Sequence, residues 1–140
     1  MAITKILDKK EAIAMAEGFL ELLGSYGNQS VKPSASELGQ YLASTFQMHS
    51  NGNTVCRNLN DYMIRMEKAQ KVFSNFSFSA LLEEPVICEN RCAIRYDVNF
   101  TKTGGGKGQL QTLAILTIDN GKISKVTQVV HEKGTGVWDA

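Results

Sequence analysis

Apolar residues recur with a helical period near the start of the chain. Ile13, Ala16, Leu20 and Leu23 fall three or four positions apart and so share one helix face. Asp8, with Glu11 three residues on, predicts the start of that helix, and Gly24 and Gly27 predict its end. After the loop NQSVKP, Ser34 and Glu37 form a capping box for a short second helix carrying Leu38, Tyr41 and Leu42. The pattern then changes to alternation. In STFQMHSNGNTVCR, Phe46 and Met48 share one face of a strand, Thr45, Gln47 and His49 share the other, and SNGN turns the chain. Asn58 and Asp61 cap a third helix, whose stripe is Leu59, Tyr62, Met63, Met66, Ala69 and Phe73.

Beyond Asn75 four strand-like runs follow, at about 76–88, 91–101, 109–119 and 122–131. They are separated by ENR, TGGGKG and DNG, which carry hairpin chemistry. Helices first and an antiparallel meander afterwards predict an α+β layout, with the helices on one face of a curved sheet. TGGGKG is not a phosphate loop. A Walker motif needs Gly where Thr101 stands and Ser or Thr where Gly108 stands, and it opens a helix rather than joining two strands.

Composition narrows the function classes. The 140 residues are expected to form one domain, 1–140, and the 43% apolar and 21% charged content is that of an ordinary globule. A net charge of +1 without a basic stripe argues against nucleic-acid binding. No apolar run approaches the ~18 residues of a membrane span, and the N-terminal stretch lacks the pattern of a secretory signal. A cytoplasmic protein is therefore expected, and the N-x-S/T triplets at Asn28, Asn75 and Asn99 count as chance matches. Cys56, Cys88 and Cys92 are too few for a disulfide scaffold. Cys88 and Cys92 flank ENR and could face each other across a hairpin, although small buried hydrophobes are the expected role. Beyond Cys88 and Cys92 no second Cys/His pair has zinc spacing, so neither a metal nor a cofactor is expected.

Helix, short helix, strand, turn, helix and four antiparallel strands is an order that resembles the nuclear-transport-factor-2-like superfamily. DNGKISKV, between the last two strands, looks like that superfamily's recurrent D-G-K-I turn. The resemblance covers nearly the whole chain. It implies a cone, in which a curved antiparallel sheet (a cystatin-like roll) wraps the N-terminal helices and leaves a pocket at its open end. SnoaL-like cyclases, ketosteroid isomerases, limonene-epoxide hydrolases and many binding or scaffold domains share this fold, so fold alone does not decide the chemistry.

Transferred onto this chain, the ketosteroid isomerase base falls at Met48, its tyrosine near Phe19 and its oxyanion-hole aspartate near Ala114. None of these apolar groups can move a proton or donate to an oxyanion, which argues against that activity. Limonene-epoxide hydrolases match more closely, and IRYDVNF resembles their R-x-D strand, with Arg95 and Asp97 on one face. Their second aspartate would fall at Gln128 and their water-holding Tyr and Asn at Phe46 and Met48. An amide does not titrate usefully, and Phe46 cannot hydrogen-bond a water. The resemblance thus implies a mostly apolar pocket lined by Phe19, Phe46, Met48, Met63, Met66, Leu110, Thr112 and Gln128, with Arg95 and Asp97 as the candidate catalytic pair. The opposite row, Ile94, Tyr96, Val98 and Phe100, would then lie on the convex face and be covered by a second copy, as in dimers of the superfamily. The reversed orientation buries that row and leaves Arg95 and Asp97 in water.

Three functional classes remain open: a binding protein for a small apolar or amphipathic molecule, an epoxide hydrolase, cyclase or isomerase with altered residues, and an interaction module with a vestigial cavity. His49 and His131 lie at or near strand ends, where surface roles are commoner than catalysis, and Trp138 in the tail EKGTGVWDA could cover the pocket mouth, pack at a dimer edge or belong to a disordered tail.

Overall fold

A computed structural model of the chain describes residues 6–134, so Trp138 and the tail from residue 135 onward lie outside the described residues. The elements run α1 (Lys9–Ser25), α2 (Ala35–Leu38), β1 (Leu42–Ser50), β2 (Asn53–Cys56), α3 (Leu59–Val72), β3 (Phe73–Phe78), β4 (Val86–Cys88), β5 (Arg91–Lys102), β6 (Lys107–Asp119) and β7 (Lys122–Glu132). Each helix starts where its side-chain cap satisfies a free backbone N–H. Asp8 accepts from Glu11 N, Ser34 from Glu37 N and Asn58 from Asp61 N. The turns follow the same local chemistry. Asn51 and Gly52, and again Asn120 and Gly121, take the positive φ that two-residue hairpins require.

The strands form a curved, unclosed sheet in the order β2-β1-β7-β6-β5-β3, with β4 on the same edge of β5 as β3. The meander is antiparallel as expected, but β1 joins it through a parallel pairing with β7, so the sheet is mixed. The predicted 76–88 strand is divided. β3 pairs with the Val98–Lys102 end of β5 and β4 with its Arg91–Ala93 end. Register breaks in β1, β3 and at Thr117/Ile118 fall where the sheet must bend.

The helices pack on the concave side. Ala12, Ala16, Phe19, Leu20 and Leu23 are the buried face of α1, and Tyr62 and Met66 that of α3. Tyr62 links three elements. Its ring lies 6.1 Å from Phe19 on α1 and 5.5 Å, edge-on, from Phe46 on β1. Phe19 and Phe46 thus fill the closed end of the cone.

The hairpin at ENR keeps its cysteines apart. Cys88 pairs in register with Arg91 and Cys92 with Ile87, and that one-residue offset puts the thiols on opposite faces. Cys88 is exposed, Cys56 and Cys92 are buried, and all three are free thiols. Burial pushes Cys92 up to about 11 and raises Cys56 too, which leaves both unreactive.

Candidate functional site

The open end of the cone holds a cavity of about 480 Å³, within the usual range for small-molecule sites. Its floor and walls are Met48 and Ser50 of β1, Tyr62, Met66 and Ala69 of α3, the Phe73, Phe76 and Phe78 rings of β3, and the inner faces of β5, β6 and β7. Arg65, Lys68 and Val72 stand at the rim, each largely solvent-exposed.

A small set of polar groups points into this apolar room. Gln128 Nε2 donates to Ser50 Oγ at 3.2 Å, joining β7 to β1 through a buried pair that lies in register. Asn51 is the first residue of the turn that follows β1. Its Nδ2 donates to Val130 O and its Oδ1 accepts from Val130 N, which fixes the rim on that side. Tyr96 and Thr112 face each other across β5 and β6. Burial raises the Tyr96 hydroxyl to about 12, with the Thr112 hydroxyl acting in the opposite direction. Burial also holds the Tyr62 hydroxyl well above its ordinary range. Both phenols are therefore neutral near pH 7 and can donate to a carbonyl or hydroxyl oxygen, but neither is a base. Among the described residues no carboxylate, imidazole or thiol lines the cavity, and no cluster of His, Cys, Asp and Glu could hold a metal ion.

Of the residues singled out from sequence, Met48, Met66, Leu110, Thr112 and Gln128 line this cavity. Phe19 and Phe46 lie behind it in the closed core, and Met63 is half-buried on α3 outside the lining. Arg95 and Asp97 take the second of the two orientations left open by the sequence, which corrects their placement in the pocket. They sit on the outer face of β5, while Ile94, Tyr96, Val98 and Phe100 are buried inside. The physical reason is plain: taking a guanidinium and a carboxylate out of water is costly, whereas burying the largely apolar row Ile94, Tyr96, Val98 and Phe100 is favourable. Arg95 instead pairs with Glu83 at 2.8 Å in solvent. Asp97 lies beside a shallow outer hollow with Leu82, Gln111, Leu113, Val129 and His131, and its Oδ1 is buried without a hydrogen-bond partner. Neither touches Gln128, so no R-x-D constellation enters the cone. His49 is also accounted for outside the cavity, its Nδ1 lying 3.0 Å from Thr54 Oγ1.

Ser50, Asn51, Tyr62, Arg65 and Tyr96 belong to the cavity and were not singled out as site residues from sequence. The clean apolar alternation of β5 was the available signal for Tyr96. Reading that row inward would have put its hydroxyl beside Thr112.

Neither a family model nor a curated relative matches the chain. Solved structures do. AusH from Aspergillus nidulans is 15% identical with a TM-score of 0.69, over 94% of this chain and 91% of that one. An LEH-like epoxide hydrolase from M. tuberculosis is 13% identical with a TM-score of 0.67, over 87% and 84%. A nuclear-transport-factor-2-like protein from Exiguobacterium is 11% identical with a TM-score of 0.67, over 84% and 98%. The chain has the nuclear-transport-factor-2-like fold. At these identities the likeness is one of fold, and the nuclear-transport-factor-2-like cone of this chain carries its own set of side chains at the open end.

Proposed function

We propose that the chain binds a small, mostly apolar molecule in the cone, oriented by a few hydrogen bonds, and that it performs no acid–base chemistry there with a carboxylate. The supporting observation is the lining. A cavity of about 480 Å³ is walled by Met48, Met66, the three β3 phenylalanines and Tyr96, and its inner polar groups are neutral amides and hydroxyls. Two flexible thioethers among rigid rings suit an adaptable apolar site. Epoxide opening by water needs a group that takes a proton and one that gives it, and the lining offers no titratable pair near neutral pH.

The test is a fluorescence titration with N-phenyl-1-naphthylamine, a neutral apolar probe. Saturable binding at micromolar concentration is expected, together with no turnover of small cyclic epoxides. Robust epoxide hydrolysis by the native protein would overturn the reading.

The same reading includes a homodimer through the outer face of the sheet. The row first assigned to that contact is internal, but a different one takes its place. Leu113, Ile115 and Val129 are 50%, 40% and 62% exposed on neighbouring strands β6 and β7. Arg95 and Asp97 beside them give this face both signs of charge, which lets it complement itself across a two-fold axis.

A further inference from the structure

The rim of the cone is cationic on one side only. Arg65 and Lys68 lie one turn apart on α3, and both line the cone cavity. Both also line an adjoining hollow of about 360 Å³ between β2 and α3, shared with Arg57, Asp61 and Ile64. Neither cation is within ion-pairing distance of a described carboxylate. The obvious candidate, Asp61, one turn before Arg65, is engaged elsewhere. Its Oδ2 accepts the Arg57 backbone N–H at 2.9 Å, and its own N–H is held by the Asn58 cap. Free lysines are common on surfaces, but on the cone side these two positive charges face a cavity wall of Phe73, Phe76 and Tyr96, and among the described residues no acidic side chain lines that cavity. By contrast Lys122, at the other end of the sheet, is tied to two backbone carbonyls, and Arg95 to Glu83.

We propose that the ligand of the cone is an amphipathic organic anion. Its carboxylate-type or sulfonate-type head sits on Arg65 and Lys68, and its apolar body runs inward along the aromatic wall toward Gln128 and Ser50. The guanidinium can grip such a head through two parallel N–H donors while the ammonium adds a point charge. The inference rests on the proposed binding function and specifies its ligand class.

The experiment compares two probes with one skeleton: neutral N-phenyl-1-naphthylamine and its sulfonated counterpart, 1-anilinonaphthalene-8-sulfonate. Native protein, Arg65→Gln, Lys68→Gln and the double variant are titrated at low and high salt, with Lys10→Gln, an exposed lysine on α1 away from the cone, as a charge-matched control. In the native protein the anionic probe binds at least as tightly as the neutral one, although a sulfonate opposes entry into an apolar site. Each single change weakens the anionic probe about three- to fivefold, as partly solvated charge pairs do. The double change weakens it about tenfold or more, leaves the neutral probe within about twofold, and abolishes the salt dependence. Lys10→Gln leaves both affinities unchanged, and a matching loss of the anionic probe in that variant would overturn the assignment to Arg65 and Lys68. A native protein that binds the neutral probe and rejects the anionic one overturns this inference and leaves the binding function standing. Equal loss of both probes in the double variant also overturns it, since the two residues would then only hold the wall. Binding of neither probe to the native protein defeats the binding function itself.

Discussion

Tyr96 shows how one buried group sets a pH response. Its hydroxyl is raised from an ordinary 10 to about 12, chiefly by burial. The unfolded chain releases this proton near pH 10, whereas the folded chain keeps it to about 12. Stability from this group is therefore complete below pH 10 and is lost as the pH climbs from 10 toward 12, at about 1.4 kcal/mol per pH unit. Tyr62 acts with the same sign. Tyr96→Phe removes one ionisable group, and urea unfolding in steps from pH 9 to 11.5 should show a shallower alkaline decline than in the native protein, by on the order of 2 kcal/mol at the upper end. Identical slopes would contradict the burial of that hydroxyl. Gln128 offers a second residue-level check. Gln128→Leu strands the Ser50 hydroxyl inside the cone and should cost about 1–3 kcal/mol in urea unfolding at pH 7. Removing both partners, with Ser50→Ala added, should recover part of that loss.

At the scale of elements, the helix starts were legible because a cap is a local event. Asp8, Ser34 and Asn58 each take the N–H three residues ahead, as their spacing predicted. Asn58→Ala should cost about 1 kcal/mol and loosen the α3 wall of the cavity, measurable as faster amide exchange from Tyr62 through Met66. The face of β5 was harder. Its alternation is unambiguous, but alternation names two faces without saying which is inside, and the R-x-D resemblance pulled Arg95 and Asp97 inward. Desolvation decided otherwise. The division of the 76–88 run was not legible either, because the two halves are set by which end of β5 each meets and not by a local signal. Gly27 belongs to this scale too. A Cβ there would collide with the Phe76 carbonyl oxygen, so Gly27→Ala should destabilise by several kcal/mol where its propensity alone predicts a gain.

For the whole molecule, the order of elements carried the fold, while the parallel β1–β7 contact and the shape of the cavity depend on long-range pairing that no stretch of sequence encodes alone. The outer sheet face yields an assembly prediction. Sedimentation should show a dimer at about 10 µM, burying on the order of 1,200 Å² or more, and Leu113→Asp with Val129→Asp should convert it to a monomer without loss of fold. A monomeric native protein would remove the dimer and leave the cone untouched. The central claim is that the cone itself is the binding site, and the methionines report on it directly. Met48 and Met66 line the cavity, whereas Met15 and Met63 pack elsewhere. Methyl spectra of protein carrying ¹³C-methyl methionine, titrated with N-phenyl-1-naphthylamine, should show large saturable shifts at Met48 and Met66 and little change at Met15 and Met63. Unmoved Met48 and Met66 signals under saturating probe, or shifts confined to Met15 and Met63, would contradict the account.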